Sequence, residues 1–133
     1  MTDLVFFYGT LMSGFSRPGR ARIDPHLVAE GRGWIRATLF DLGIYPAAIP
    51  AGDGRVWGEV HRMTNADVVL AELDAIEGFQ PSKPDASLYT RVETTVTFDN
   101  GRTASAWAYF YNAPLGGAQR ISSGDYLDHL KVK

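Results

Sequence analysis

Two long runs of β-forming residues flank the triplet Asp99-Asn100-Gly101 in the last third of the chain. The runs cover Tyr89–Phe98 and Thr103–Tyr111. An Asn-Gly pair between two such runs is the strongest short-range signal for a β-hairpin. This feature therefore predicts two paired antiparallel strands, and the fold must contain a sheet.

Three other segments favour strands. They are Leu4–Tyr8, which Gly9 ends, Trp34–Leu42 and Val56–His61. The tryptophans of these strand patterns are expected in the core. The stretch from Met12 to Pro25 contains glycines, prolines and three arginines, and it is predicted to be a loop.

One segment has clear helical periodicity, from Thr64 to Ile76. Its apolar residues recur at the spacing that puts them on one helix face. Thr64 is the predicted N-cap, with Asp67 three residues further on in a variant of the capping box. Gly78 follows at the position where a left-handed C-cap is expected.

These patterns predict an α+β fold: a mixed sheet of five to seven strands, or a small barrel, with one main helix. The chain has 133 residues, of which 45% are hydrophobic and 21% charged. This length and composition fit one compact domain over residues 1–133. No repeat or linker divides the sequence.

Composition excludes several classes of function. The formal net charge is −2, so no basic patch favours a nucleic-acid partner. Cysteine is absent, which excludes disulfides, zinc thiolate sites and cysteine nucleophiles. No His, Asp and Glu cluster has the spacing of metal ligands. The sequence shows neither a signal peptide nor a membrane span, and a soluble, cytoplasmic protein is expected.

Glu77 occupies an unusual place at the end of the predicted helix. At 100° per residue, Leu70, Leu73 and Glu77 fall within about 60° of one another. Glu77 therefore belongs to the apolar stripe, whereas Asp67 and Asp74 are expected on the solvent face. It also lies at the negative end of the helix dipole, and both placements raise the pKa of its carboxyl group.

Two interpretations of Glu77 remain open from its spacing. A buried carboxylate is costly unless it is paired, and Arg91 is a possible partner for a structural ion pair. A general acid/base benefits from the same environment, because its pKa then approaches neutrality.

The segment Tyr8-Gly9-Thr10-Leu11 is the second candidate feature. A strand that ends in a glycine turn can leave several backbone N–H groups pointing in one direction. Such a nest can hold a carboxylate or a developing oxyanion. A plain connection from strand to loop is the alternative interpretation.

Taken together, these segments match a known pattern. Phe6–Leu11 is similar to the amino-terminal signature of the γ-glutamylcyclotransferase-like family, and Leu73–Gly78 to its catalytic segment. Tyr89-Thr90-Arg91 fits the Tyr-x-Arg of many members, and Leu42–Ala47 fits a recurring Tyr-Pro segment. The Thr10-Leu11 pair is closer to the γ-glutamylamine cyclotransferase and AIG2-like branches than to the glutathione-pathway branch.

The resemblance implies a compact mixed α/β barrel and a reaction that converts a γ-glutamyl amine or amide to 5-oxoproline and a free amine. It implies that Glu77 is the catalytic acid/base and that residues 8–11 bind the glutamyl group. The implied partner is thus a small γ-glutamyl substrate, and such a cyclisation requires no cofactor and no metal. Tyr89 and Tyr111, at strand ends, are further candidates for substrate contact.

Two segments depart from the family pattern. The connection Phe79–Ser87 is long and contains two prolines, and the first loop carries Arg17, Arg20 and Arg22. These arginines are expected to be solvated, with capture of an acidic substrate as the alternative. The leaving amine and the oligomeric state are not determined by the sequence. A non-catalytic domain that binds a small acidic metabolite is the second hypothesis, and a related amide-cleaving step on a γ-glutamylated intermediate is a third.

Overall fold

The computed structural model describes residues 2–15, 17 and 19–131. Its strands, in chain order, are β1 (Leu4–Phe7), β2 (Leu27–Arg36), β3 (Thr38–Asp41), β4 (Pro46–Ile49), β5 (Arg55–Met63), β6 (Tyr89–Phe98), β7 (Thr103–Tyr111) and β8 (Gln119–Arg120). Its helices are α1 (Arg20–Ile23), α2 (Ala66–Glu77) and α3 (Tyr126–Lys131), with 3₁₀ turns at Asp24–His26 and Pro84–Ala86.

Five strands close into a barrel in the order β1, β5, β2, β6, β7. Neighbouring strands are antiparallel except β1 and β7, which close the barrel through a parallel contact at Val5 and Trp107. The strands β4, β3 and β8 form a second, three-stranded sheet. The α+β class with a small barrel and one main helix is confirmed.

The predicted hairpin is the β6–β7 pair, and its register runs from Tyr89 opposite Tyr111 to Thr97 opposite Thr103. The N–H group of Gly101 donates to the carbonyl of Phe98 across 2.9 Å and closes the turn. Both strands have the bounds that the sequence predicts.

Alternate residues of the barrel strands fill its interior, as the period of a strand requires. The side chains of Phe6, Ile35, Val56, Val60 and Val96 are at most 1% exposed. Full burial of one such side chain stabilises the fold by roughly 1.5–3 kcal/mol, so this cluster anchors the strands that carry the pocket described below.

Helix α2 forms where the periodicity predicts it, but its N-cap is Asn65 and not Thr64. The Asn65 side chain accepts a bond from the N–H group of Val68 at 3.4 Å. Asparagine is at least as good an N-cap as threonine, because its short side chain reaches the first unpaired amides. The helix ends at Gly78, whose φ of 67° and ψ of 35° give the predicted left-handed cap.

The cap assignment predicts a difference between two neighbouring alanine substitutions. Asn65→Ala should lower the free energy of unfolding by about 0.5–1 kcal/mol, the lower half of the usual range because the bond is long. Thr64→Ala is the matched control and should change it by less than about 0.5 kcal/mol, since Thr64 is exposed. Urea denaturation of both variants checks this, and a larger loss for Thr64→Ala would contradict the assignment.

Three predicted boundaries are wrong. The strand expected over Trp34–Leu42 divides at Ala37, whose N–H group donates to the carbonyl of Gly54 and so separates β2 from β3. β2 also begins earlier, at Leu27, and the expected loop of residues 12–25 contains α1. The short strands β4 and β8 were not predicted, because β4 consists mainly of proline and alanine, which are poor β-formers, and β8 has only two residues.

The tryptophans are not in the core. Trp34 and Trp57 lie opposite each other on β2 and β5, partly exposed, with ring centres 6.4 Å apart. The guanidinium groups of Arg55 and Arg32 cover these two rings at 4.2 Å and 4.1 Å. Trp107 is partly exposed as well. The β propensity of a tryptophan does not indicate whether its ring points into the barrel or outward. Here the rings point outward, and arginine side chains shield them from solvent in place of the core.

Candidate active site

A pocket opens where β1 leaves the barrel, between the turn that follows β1 and the carboxyl end of α2. It contains about 380 Å³ of empty space, part of it open to solvent. The structure brings together in it most of the predicted site residues: Tyr8, Gly9, Thr10, Leu11, Glu77 and Tyr89. Their roles in catalysis and binding stay predictions.

The turn after β1 presents backbone donors at the pocket. The N–H group of Met12 donates to the carbonyl of Gly9 at 3.0 Å and closes the turn. Within the described part of the chain, the N–H groups of Gly9, Thr10 and Leu11 have no hydrogen-bond partner. Unpaired backbone donors beside a pocket are suited to an anionic ligand.

Gly9 is required by close packing. A Cβ atom at this position would lie 2.8 Å from Cγ of Pro46, and both residues line the pocket. A side chain here would therefore displace the Pro46 ring. Glycine allows the turn after β1 to pack directly against Pro46.

Glu77 is the last residue of α2, and its partly buried side chain lines the pocket. Burial raises the pKa of the Glu77 carboxyl from 4.5 to about 7, and the positive charge of Arg17 opposes this rise. Among the described residues, Glu77 has neither a hydrogen-bond partner nor an ion-pair partner. A carboxyl group with a pKa in this range can both accept and donate a proton near neutral pH.

The ion pair considered for Glu77 and Arg91 does not form. Arg91 binds Asp74 instead, with Nε 3.0 Å from Oδ1 and Nη2 3.2 Å from Oδ2. The hydroxyl group of Tyr109 also donates to Asp74, across 2.5 Å. Asp74, expected on the solvent face, is only 9% exposed, because β6 and β7 supply these two donors and bury it.

This Asp74–Arg91–Tyr109 network fixes the carboxyl end of α2 against the barrel. Asp74 is three residues before Glu77, so it lies on the neighbouring part of the helix surface. The guanidinium group of Arg91 also packs over the ring of Phe79 at 5.6 Å, immediately after the helix. The network therefore holds the helix turn that carries Glu77.

Three of the tyrosine hydroxyl groups at the pocket, those of Tyr8, Tyr89 and Tyr109, donate hydrogen bonds within the protein. The hydroxyl of Tyr8 donates to the carbonyl of Tyr109 at 2.7 Å, and that of Tyr89 donates to the carbonyl of Pro46 at 3.1 Å. Burial is the largest cause of the raised pKa of Tyr8, Tyr89 and Tyr109, so all three stay protonated at neutral pH. Their rings form the wall, but their donor hydrogens are already used.

Tyr111, predicted at the substrate, does not line the pocket in the structure. Its ring packs edge-on against that of Tyr89, with the centroids 5.2 Å apart, because it lies opposite Tyr89 in the β6–β7 register. It thus supports the wall from behind. The Phe79–Ser87 connection also stays away from the pocket, since none of residues 79–87 lines it.

Six residues that line the pocket were not assigned to the site from the sequence: Phe6, Phe7, Arg17, Tyr45, Pro46 and Tyr109. Tyr45 belongs to the Tyr-Pro segment of the family resemblance, which was the available signal. Tyr109 is inside a regular strand and gave no signal. Arg17 was one of three loop arginines that the sequence could not distinguish.

The three loop arginines have different surroundings. Nη1 of Arg17 donates to Oγ1 of Thr10 at 2.6 Å, at the pocket. Arg20 is not solvated as expected: its side chain is 13% exposed, and it binds Asp24 and the carbonyl of Leu11. The side chain of Arg22 is 74% exposed, in agreement with the expectation that the loop arginines are solvated.

Metal and membrane features can be assessed for residues 2–15, 17 and 19–131. There, no three His, Asp or Glu side chains lie close enough together to hold a metal ion. In the same residues, no helix has the length and apolar character to cross a membrane.

The barrel and pocket define a class: an α+β barrel protein with a pocket lined by unpaired backbone N–H groups and a partly buried carboxyl group. The model of one family, described as gamma-glutamyl cyclotransferase, AIG2-like, matches residues 5–128. The chain therefore belongs to the AIG2-like γ-glutamylcyclotransferase family, as the resemblance predicted. Membership supports a cyclotransferase-like function.

Relatives agree with this placement. The chain is 41% identical to the gamma-glutamylcyclotransferase family protein YtfP of Escherichia coli K12 over 93 residues, 70% of each chain. It is 40% identical over 125 residues to that of Citrobacter rodentium, which covers 93% of this chain and 95% of the relative. The solution NMR structure of E. coli ytfP superposes with a TM-score of 0.63 at 35% identity, over 95% of this chain and 97% of that one.

Proposed function

We propose that the protein is a cyclotransferase that converts a γ-glutamyl amine or a related γ-glutamyl amide to 5-oxoproline and a free amine. One observation carries the proposal: the Glu77 carboxyl, with a pKa of about 7, faces the same pocket as the unpaired backbone donors of residues 9–11. A pocket with both features can hold a small zwitterion and move its protons.

The reaction is an internal displacement. The α-nitrogen of the glutamyl group attacks the γ-carbonyl carbon and forms the ring C–N bond, and the bond from that carbon to the leaving nitrogen breaks. The α-nitrogen enters as an ammonium group and must lose two protons. Both protons end on the leaving amine, which departs as an ammonium ion, so atoms and charge balance without water.

Glu77 transfers protons in this scheme. As a carboxylate it accepts a proton from the α-ammonium group, which frees the nitrogen lone pair for attack. As a carboxylic acid it then protonates the leaving nitrogen and returns to the carboxylate. The second proton of the α-nitrogen follows by a repeat of the same cycle, so the amine leaves as an ammonium ion. A pKa near 7 suits both steps, because neither form is strongly disfavoured at neutral pH.

The turn of residues 8–11 holds the glutamyl group in a folded conformation. The attack is intramolecular, so correct orientation of the two ends supplies a large part of the rate. Well-oriented cases are worth on the order of 7–11 kcal/mol. The N–H groups of Gly9, Thr10 and Leu11 are the donors available for the substrate carboxylate or the developing oxyanion.

The test is the release of 5-oxoproline from a panel of γ-glutamyl amines and γ-glutamyl dipeptides, followed by NMR spectroscopy. We expect turnover of at least one member, with equal amounts of 5-oxoproline and amine. A pocket that binds panel members and turns none of them over supports the alternative, a non-catalytic domain that binds a small acidic metabolite. The anion-binding donors alone would suffice for that role.

The raised pKa of Glu77 predicts opposite pH dependences of activity and stability. We expect kcat/KM to rise with a midpoint near pH 7, as the carboxylate forms. Between about pH 4.5 and 7 the folded state holds a proton that the unfolded state has lost, so the Glu77 contribution to stability falls as pH rises.

The matched control for this pH prediction is Glu77→Gln. The difference in melting temperature, variant minus wild type, should increase from pH 5 to pH 8, because only the wild type loses that contribution. A constant difference across this range would contradict the assignment of the titration to Glu77.

The proposal also includes the domain organisation, the cofactor requirement and the location of the protein. Residues 1–133 act as one domain, the cyclisation needs no cofactor, and a cytoplasmic location is predicted from the sequence. Nucleic acid is not an expected partner, given the net charge of −2.

A further inference from the structure

Arg17 is the only basic residue among the described residues that line the pocket. One donor of its guanidinium group, Nη1, binds Oγ1 of Thr10 at 2.6 Å. In the part of the chain that the structure describes, no carboxylate pairs with it, whereas Arg20, Arg22 and Arg91 each have a carboxylate partner. Glu77 lines the same pocket and feels the charge of Arg17, but the two side chains form no ion pair, so the guanidinium group keeps donors for a ligand.

Thr10 connects this cation to the unpaired backbone donors. Its hydroxyl oxygen holds Nη1 of Arg17, and its own N–H group has no partner among the described residues. The guanidinium group and the turn amides are thus neighbours at one wall of the pocket. A guanidinium group presents a planar fork of N–H donors, and that fork matches the two oxygens of a carboxylate.

We propose that Arg17 is the specificity-determining residue of the pocket and pairs with the α-carboxylate of the glutamyl group, beside the amides of residues 9–11. The inference rests on the proposed function, because it takes the glutamyl group as the ligand. The pairing distinguishes a γ-glutamyl substrate from an amide of 4-aminobutyrate. That amide can close into the same five-membered ring, but it lacks the α-carboxylate, so the pocket rejects it.

The charge of Arg17 also acts on Glu77. The positive charge lowers the pKa of the Glu77 carboxyl, against the effect of burial. Replacing Arg17 by a neutral residue therefore moves the midpoint of the activity profile to higher pH. That shift reports the closeness of the guanidinium group to Glu77, and the ligand preference described next tests the pairing with a carboxylate.

The experiment compares the binding of 5-oxoproline and of 2-pyrrolidinone, which is the same ring without the carboxylate, by NMR titration. Wild type should prefer 5-oxoproline by at least about tenfold, the size of a charge-assisted bidentate contact. Arg17→Ala should lose most of that preference by binding 5-oxoproline more weakly, with little change for 2-pyrrolidinone. Arg17→Lys should keep part of it, since charge remains and the fork is lost.

Arg22→Ala is the matched control, because it removes an arginine of the same loop that is 74% exposed and pairs with Glu72 at 3.5 Å. Its preference should equal that of wild type. Thr10→Val removes the acceptor that holds Nη1 of Arg17 and should lower the preference by a smaller factor. It tests the proposal independently if Arg17→Ala does not fold.

Two results would overturn the inference: no preference in wild type, or an unchanged preference in folded Arg17→Ala. These failures are distinct from failure of the proposed function. Turnover with a preference independent of Arg17 refutes only the role of Arg17. An Arg17-dependent preference without turnover of any γ-glutamyl compound supports the carboxylate site and refutes the cyclotransferase.

Discussion

Glu77→Gln should lower the rate of 5-oxoproline formation by a factor of about 10²–10⁴, which is the usual contribution of a general acid/base. Glutamine has nearly the same shape as glutamate, but it cannot accept a proton. Because Glu77 has no ion-pair partner among the described residues, the substitution leaves no cation unpaired. The variant should therefore fold normally and bind 5-oxoproline with little change.

The stability of the Glu77→Gln variant separates the catalytic role from a structural one. At pH 8 its melting temperature should equal or exceed that of wild type, since a disfavoured charge at a helix C-terminus is gone. Glu72→Gln, on the same helix but outside the pocket, is the control and should retain full activity. A Glu77→Gln protein that is destabilised but still active would end the catalytic assignment.

Asp74→Ala should have the largest effect on stability. It removes the carboxylate that pairs with Arg91 and accepts from Tyr109, and the side chains of the ion pair are only 12% and 19% exposed. Removing one partner of a buried ion pair costs about 3–5 kcal/mol, because the other charge remains buried and unpaired. Guanidinium denaturation of the variant measures this loss directly.

Glu72→Ala is the control for Asp74→Ala, since it also removes an acidic side chain of α2 from an ion pair. Its pair with Arg22 is exposed, and such pairs are worth roughly 0–1 kcal/mol. Similar losses in the two variants would show that the Asp74 network does not hold the helix end. At a temperature where Asp74→Ala is folded, its activity should also fall, because the turn that carries Glu77 is less well fixed.

The sequence predicted those parts of the fold that have strong periodicity or distinctive turn residues. The β6–β7 hairpin followed from two long β-rich runs around Asn100-Gly101, and α2 from its apolar spacing and Gly78. The strand β4 was missed because proline and alanine are poor β-formers, whereas the equally short β1 consists of strong ones, and β8 was missed because it has only two residues. The division at Ala37 was missed because both sides have the same β propensity.

The site was predictable where a residue was exceptional for its position, and not where its partners are distant in sequence. Glu77 was identified from an apolar helix face and a helix C-terminus, both of which are local properties. Asp74 was misplaced, because a helical projection contains no information about Arg91 and Tyr109, which come from two other strands. Arg17 lies in an aperiodic loop, where nothing local indicates that it faces the pocket.

The origin of the oxygen atoms in the product tests the central claim most directly. The reaction of a γ-glutamyl amine is run with wild-type protein in water labelled with a heavy oxygen isotope, and the products are analysed by mass spectrometry. Attack by the internal nitrogen predicts unlabelled 5-oxoproline and an equal amount of free amine. Labelled glutamate would show that water attacks the γ-carbonyl carbon, and it would contradict the account.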